Sequence, residues 1–340
     1  MSTKLVMIHG RNQASDQQTA DDPAKLAAYV DNKKRQFLAG LAKGLVLANR
    51  PPIVETEVIF PFYGNVFRDS IADYERSGGI PPHLEAADPA TELEVNTGGD
   101  QDQIRALSTL QANLLQDMAG HLDYDAVREL RYQGGSADEL AVSDVLGVPF
   151  VTGALQFLSR KTGVPAAIIR NHLADVAYYI GMESMRNKVL DVVRREILSH
   201  TSADDDLVVI AHSLGSVVAY DLLADQDNAL GDRRVKLFVT VGSPLGLKLV
   251  KARLHGRQPA VPAGAPLKVI ESNARWLNGY DVLDIVALIH PLAPEFKGTD
   301  RLSDERTYNP TGPHAIIDYL ADPDIAAPIS DHMAILEQVG

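Results

Sequence analysis

Residues 207–218 read LVVIAHSLGSVV, two apolar segments that are separated by a short turn. The first segment, from Leu207 to Ala211, is continuously apolar, which is typical of a central strand covered on both faces. The second, from Gly215 to Leu223, has the pattern of a helix. Together they predict a buried strand, a sharp turn and a helix, the unit from which parallel sheets are built.

Other parts of the chain repeat this alternation of short apolar runs and longer amphipathic stretches, without an internal repeat. It predicts an α/β protein with a mostly parallel central sheet and helices on both faces. The predicted strands are Leu5–Ile8, Ile53–Phe60, Val235–Val241 and Leu267–Ile270, and the predicted helices cover 22–48, 102–122, 185–199, 319–320 and 325–335.

The connection between the second predicted strand and the strand at residue 207 is far longer than one crossover helix needs. We therefore predict a core formed by residues 1–65 and 183–340, with a large and mostly helical cap inserted at 66–182. Within the insertion, residues 76–101 are rich in Gly, Pro, Asp and Glu, which indicates a long loop or a mobile lid.

Composition limits the class of protein. The 340 residues are 45% hydrophobic and 23% charged, values typical of a soluble globular protein. The net charge of −13 argues against nucleic acids and anionic membranes as partners. Cysteine is absent, which excludes disulfides, thiolate catalysis and cysteine metal sites. No apolar run approaches the roughly 18 residues of a membrane-spanning helix, and no signal peptide is visible, so a cytoplasmic location is expected.

Ser213 lies at the predicted turn, within a small-x-Ser-x-Gly motif formed with Ala211 and Gly215. Small residues on either side allow a tight turn that exposes a serine hydroxyl at the start of a helix. This context predicts Ser213 as a nucleophile, with the backbone N–H of Leu214 facing a developing oxyanion. The alternative is a serine that only caps the helix.

A nucleophilic serine needs a base. In the α/β-hydrolase elbow, which this strand-turn-helix motif resembles, the base follows the serine in the chain. Four histidines follow Ser213, and we favour His314 because it lies in a turn-rich loop that enters a helix. His290, which precedes a proline, is the second choice. The others are His255 and His332.

The acid that orients the base is expected between the serine and the histidine, in the loop after the strand at 267–270. Asp284 and Asp281 both lie in the segment 276–286. We favour Asp284, because two β-branched residues follow it and indicate that it starts a buried segment, whereas Asp281 is nearer a turn at Gly279. Either side chain could instead cap a helix.

The second oxyanion donor is expected in the loop after the first strand, where Gly10 lets the backbone approach a substrate and Arg11 follows. The predicted substrate-binding residues are His9, Tyr63 and His212. For His9 a purely structural role is the alternative, and for Arg11 a surface position.

These stretches resemble α/β-hydrolases of the lipase and esterase type, and most of all the branch of bacterial serine esterases and inositol-deacylase-like proteins. The resemblance covers about residues 4–65 and 185–335. It implies Ser213 as nucleophile, Asp284 as acid and His314 as base. The matching stretches are 8–11, 211–215, 240–246, Trp276 with Asn278 and Asp284, and 313–314.

The expected activity is hydrolysis of a small-molecule carboxylic ester through an acyl-enzyme, without a metal or organic cofactor. An acyltransferase, a peptidase or a non-catalytic interaction protein with the same fold are the alternatives. Metal-dependent hydrolysis and dinucleotide binding are hypotheses with less support, since the chain has no HExxH and no GxGxxG after its first strand. Apolar residues of the cap favour an apolar acyl group: Phe150, Leu155, Phe157, Leu158, Ile168 and Ile169.

Overall fold

The computed structural model describes residues 2–10, 14–76, 165–224, 229–254, 274–296 and 301–333, together with a few positions between 110 and 160. Several predicted features lie outside these residues. They are Arg11, His255, the strand at 267–270, most of the lid at 76–101 and most of the helix at 102–122.

Within the described residues, six parallel strands form one sheet with the order β2-β1-β3-β4-β5-β6. The coarse prediction of an α/β protein with a parallel sheet is therefore confirmed. The strands are β1 (Thr3–Ile8), β2 (Val58–Ile59), β3 (Asp206–His212), β4 (Arg234–Val241), β5 (Arg275–Tyr280) and β6 (Leu302–Arg306).

The helices of the described residues lie between these strands in the chain or follow the last of them. They are α1 (Pro23–Leu47), α2 (Gly64–Arg76), α3 (Ala166–Gly181), α4 (Glu183–Ser199), α5 (Leu214–Leu223), α6 (Lys248–Arg253), α7 (Ile316–Ala321) and α8 (Pro323–Met333). Single helical turns occur at Gln17–Ala20, Glu55–Glu57, Pro244–Gly246 and Ala293–Glu295. None of the helices in this part of the chain is long and apolar enough to cross a membrane.

Helix α1 shows how local sequence sets an element's bounds. The Asp22 side chain accepts hydrogen bonds from the N–H groups of Ala24 and Lys25, and Pro23 occupies the first helical position, where its missing N–H costs nothing. The helix ends at Leu47, and Asn49 follows with a positive φ of 53°. The predicted helix at 22–48 is confirmed.

Side chains from one face of the sheet pack against α1, α7 and α8 in a single hydrophobic core. In β1, β3 and β4 these are every second residue, because side chains alternate between the two faces of a strand. They include Leu5 and Met7, Val208 and Ile210, and Leu237, Val239 and Val241.

Three strand predictions were wrong or incomplete. The predicted strand Ile53–Phe60 is only two residues long, because Glu55–Glu57 forms a helical turn instead. The sequence predicts a loop with a turn at Gly279, but β5 occupies this stretch and Gly279 pairs with Val241 inside the sheet. β6 was not predicted at all.

Contacts between Cα atoms divide the chain into two compact units. One comprises Met1–Val66, Asn187–Gly246 and Val250–Gly340, and contains the sheet; the other comprises Phe67–Arg186 and Leu247–Leu249. Of the six apolar residues predicted to favour an acyl group, three are described with their side chains and are buried: Leu155, Leu158 and Ile169. The others, Phe150, Phe157 and Ile168, lie outside the described side chains.

The strand order reverses between β1 and β3. From β1 the chain first builds β2 on one side, then crosses to add β3 and the remaining strands on the other side. In open parallel sheets, ligands bind at the carboxyl ends of the strands beside such a reversal. The end of β1 at Ile8 pairs with Ala211 of β3, so the loop 9–10 and Ser213 both lie at this point.

Candidate active site

Ser213 has a left-handed backbone, with φ 57° and ψ −132°. A β-carbon makes such a conformation costly, by about 1–3 kcal/mol, and it persists only where the surroundings impose it. Ser213 precedes α5, but its hydroxyl makes no capping hydrogen bond to that helix. The capping alternative therefore does not explain why a serine occupies this turn.

The elements around the turn approach it very closely. A side chain at Gly10 would bring its Cβ to 2.7 Å from Ser213 Cβ and 3.3 Å from Ser213 Oγ. A side chain at Gly215 would collide with the carbonyl oxygens of Ile8 and His9. These contacts give a physical reason for glycine at both positions, and they bring the loop after β1 against the serine.

A chain of buried hydrogen bonds holds the Ser213 carbonyl. Since a carbonyl only accepts, the Ser216 hydroxyl donates to Ser213 O at 2.6 Å. Ser216 Oγ lies 2.7 Å from Ser243 Oγ, which accepts the Leu245 N–H at 3.2 Å. The Ser213 N–H donates to Val241 O at 3.0 Å. The turn is therefore fixed from the end of β4 on both its N–H and its C=O side.

Asp284 and His314 are in direct contact. His314 Nδ1 lies 2.8 Å from Asp284 Oδ2, and the carboxyl group is buried. Gly242, with φ 57°, follows the last residue of β4. A Cβ at this glycine would lie 2.9 Å from Asp284 Oδ2 and 3.0 Å from His314 Nδ1. The pair therefore borders the end of β4, to which Ser213 is also bonded.

The pKa of Asp284 is lowered. Burial by itself would raise it, but the charge of protonated His314 and hydrogen bonds from His314, Tyr319 and the Val286 N–H outweigh that effect. The carboxylate therefore stays ionised beside the imidazole. An ionised acceptor at Nδ1 fixes the proton on that nitrogen and orients Nε2 as the proton-accepting atom.

Asp281 occupies a different place, although it is also buried. Its Oδ1 accepts the Leu283 N–H at 2.8 Å and its Oδ2 accepts the Asn309 N–H at 2.8 Å. The carboxylate thus joins the loops that follow β5 and β6. Of the two aspartates that the sequence left open, Asp284 is the one that contacts His314.

The two other described histidines after Ser213 contact backbone carbonyls elsewhere. His290 Nδ1 donates to Ala287 O at 2.8 Å, and its ring stacks on Tyr280. His332 Nδ1 donates to Pro328 O at 2.7 Å, one turn earlier in α8. Among the histidines after Ser213 that the structure describes, His314 is therefore the one that is bonded to an aspartate.

His212 lies against the loop that carries His314. Its Nε2 donates to the His314 carbonyl at 3.1 Å, and the two ring centroids are 4.5 Å apart. A contact of His212 with substrate stays a prediction. The observed contacts are those of a residue that supports the His314 loop.

His9 and Tyr63 form a buried pair. The His9 Nδ1–H donates to Gly10 O at 2.7 Å, while Nε2 accepts the Tyr63 N–H at 3.2 Å. The Tyr63 hydroxyl donates to His9 O, and the rings stack with centroids 4.1 Å apart. Both ring nitrogens of His9 are thus engaged within the protein, which favours the structural alternative over a contact with substrate.

Burial lowers the pKa of His9 from 6.5 to about 4. As the pH falls below 6.5 the unfolded chain therefore takes up this proton first, and stability is lost until the folded pKa is reached. Between pH 7 and pH 5 the free energy of unfolding should fall by about 2 kcal/mol on account of His9. Urea denaturation at both pH values should show a fall smaller by that amount in His9→Asn. If the free energy of unfolding fell equally in the wild type and in His9→Asn, the lowered pKa of His9 would be contradicted.

Leu214 and Gly10 are the described candidates for oxyanion donors. Leu214 is the first residue of α5, so its N–H has no acceptor four residues back within the helix. The positive end of the helix dipole adds to the attraction of an anion there. Gly10 places the loop after β1 beside the same hydroxyl. Arg11, the third predicted contributor, lies outside the described residues.

Tyr319 was missed as a site residue, although the sequence predicted a helix at its position. It lies in α7 and is buried, and its hydroxyl donates to Asp284 Oδ2 at 2.7 Å. The signal was weak: a buried tyrosine needs a partner for its hydroxyl, but the sequence does not say which.

Comparisons of this chain with models of protein families, with curated proteins and with solved structures found no match.

Proposed function

We propose that this protein is a serine hydrolase with an α/β-hydrolase fold that cleaves carboxylic esters through an acyl-enzyme. The observation that carries the proposal is the positive φ of Ser213 at the turn between β3 and α5. That conformation costs stability and does not serve to cap the helix, whereas it is the backbone expected of a nucleophile on a strand-turn-helix elbow.

The order of the elements supports the proposal. Ser213 follows β3, Asp284 follows β5 and His314 follows β6, so all three lie beyond the carboxyl ends of parallel strands. The chain order of serine, acid and histidine is that of α/β-hydrolases. The contact between Asp284 and His314 adds the orientation that a histidine base requires.

The proposed reaction begins when Ser213 Oγ attacks the ester carbonyl and its proton passes to His314 Nε2. Asp284 stabilises the imidazolium, and the Leu214 N–H, with the loop at Gly10, stabilises the oxyanion. The tetrahedral intermediate formed by this attack then collapses and releases the alcohol, which takes the proton from His314. Water, deprotonated by His314, then attacks the acyl-enzyme and releases the acid with free Ser213 Oγ–H.

A series of p-nitrophenyl esters with increasing acyl length tests the proposal. We expect turnover with an initial burst of p-nitrophenol, the kinetic sign of an acyl-enzyme, and the highest kcat/KM for an apolar acyl group. An added alcohol distinguishes hydrolysis from acyl transfer through the product formed, and an anilide tests peptidase activity. No turnover above the buffer rate with any ester or anilide would overturn the proposal in favour of a non-catalytic protein.

A further inference from the structure

We propose that Tyr319 is a positioning residue that holds the Asp284 carboxylate and sets the pH at which His314 works as a base. This inference rests on the proposed function, since it concerns the same acid and base. Tyr319 contacts neither the serine nor the proposed substrate position in any described hydrogen bond; it acts through Asp284.

Tyr319 is one of the hydrogen-bond donors to the Asp284 carboxylate. Oδ2 accepts two hydrogen bonds, from His314 Nδ1 at 2.8 Å and from the Tyr319 hydroxyl at 2.7 Å. Oδ1 accepts the Val286 N–H at 2.9 Å. The phenol therefore competes with the imidazole for the charge of the same oxygen atom, and it fixes the direction in which that oxygen can meet the imidazole.

The hydroxyl of Tyr319 is itself held in place. It accepts the Asp281 N–H at 3.0 Å, so the phenol proton can only be directed at Asp284. The ring is fully buried in the core beneath α7. Tyr319 also shares a short segment with His314, and its N–H donates to Ala315 O at 3.2 Å. One side chain thereby ties the acid to the element that carries the base.

The phenol keeps its proton throughout the working pH range. Burial and then the charge of Asp284 raise the pKa of Tyr319 well above its ordinary value. The other titratable groups near the hydroxyl are Asp281, whose N–H it accepts, His314 beyond the carboxylate, and His212, whose ring centroid lies 6.3 Å from that of Tyr319. Tyr319 is thus a fixed neutral donor to Asp284.

Removing the hydroxyl should change the pH dependence in a defined direction. Without the phenol, more of the negative charge of Asp284 acts on His314, which favours the protonated imidazole. The base then loses its proton only at higher pH, so the acidic limb of the pH–rate profile moves upward. A role limited to packing would lower the rate or the stability without moving that limb.

The test is the rate at which a fluorophosphonate probe labels Ser213 in Tyr319→Phe, measured from about pH 5 to about pH 9. We expect the midpoint of the acidic limb to rise by about 0.5 pH and the plateau rate to fall by about 10-fold. Tyr220→Phe is the matched control, because it removes the hydroxyl of another buried tyrosine, packed against Trp276, and should leave the midpoint unchanged. Tyr319→Met is measured in parallel, so that a misfolded phenylalanine variant does not end the test.

The outcomes separate the two proposals. If the wild type is labelled at Ser213 and the midpoint is the same in every folded Tyr319 variant, the role of Tyr319 is overturned while the proposed function stands. If the wild type is not labelled at Ser213, the proposed function fails and this inference fails with it. An upward shift in Tyr319→Phe or Tyr319→Met, absent from Tyr220→Phe, supports both.

Discussion

Replacing Ser213 by alanine should lower kcat/KM for p-nitrophenyl esters by about 10⁴-fold or more. The hydroxyl is the proposed nucleophile, and no other group in the mechanism can form the acyl-enzyme in its place. The fold should survive, because the substitution removes one oxygen atom that makes no capping hydrogen bond to α5. Ester turnover, with circular dichroism as the check on folding, measures this. Activity within about 10-fold of the wild type would contradict the assignment.

Ser213→Gly is the matched variant, because it removes the same hydroxyl and also the strain. Alanine keeps a β-carbon at φ 57°, whereas glycine adopts this conformation freely. Both variants should be inactive. The free energy of unfolding of the glycine variant should be about 1 kcal/mol higher than that of the alanine variant. Urea denaturation compares them. A glycine variant no more stable than the alanine variant would mean that the turn is not strained.

Replacing Asp284 by asparagine should lower kcat by about 10³–10⁴-fold, because the amide no longer favours the Nδ1–H tautomer or stabilises the imidazolium. His314 Nδ1 and the Tyr319 hydroxyl would then face a neutral group in place of the carboxylate. Steady-state kinetics on the best p-nitrophenyl ester measures the effect, which should appear in kcat more than in KM.

Asp281→Asn provides the control for this change, since Asp281 is three residues away and is also buried. Its carboxylate binds backbone N–H groups of Leu283 and Asn309 rather than a histidine. The variant should lose about 1–3 kcal/mol of stability while kcat stays within about 10-fold of the wild type. If Asp281→Asn were the more damaging of the two to kcat, Asp284 would not be the acid.

The strands that could be predicted from sequence are those that contain a mainly apolar run. β1, β3 and β4 are buried along most of their length, and their apolar side chains therefore predict central strands. β5 was not predicted, because it contains the polar residue Asn278. The hydrogen bonds of this side chain are made with Thr240 and Asp304 of the neighbouring strands. β6 is an edge strand with three charged residues, a pattern that a loop shares. Both cases depend on partners distant in sequence.

The candidate site was predictable where local geometry imposes the residue types. The tight turn at Ser213 requires small neighbours, and that requirement is visible in the motif. The choice between Asp284 and Asp281 depends on which carboxylate meets His314 across separate loops, which spacing does not encode. Tyr319 was missed for the same reason, since its contact with Asp284 joins α7 to the loop after β5.

Covalent labelling of the wild-type protein with a fluorophosphonate probe, followed by peptide mapping, tests the role of Ser213 most directly. Phosphonylation requires a serine hydroxyl activated by a base, and it needs no knowledge of the natural substrate. We predict one modified residue, Ser213, with labelling lost in Ser213→Ala and slowed in Asp284→Asn. Labelling of a different serine, or no labelling of the folded protein, would contradict the proposed function.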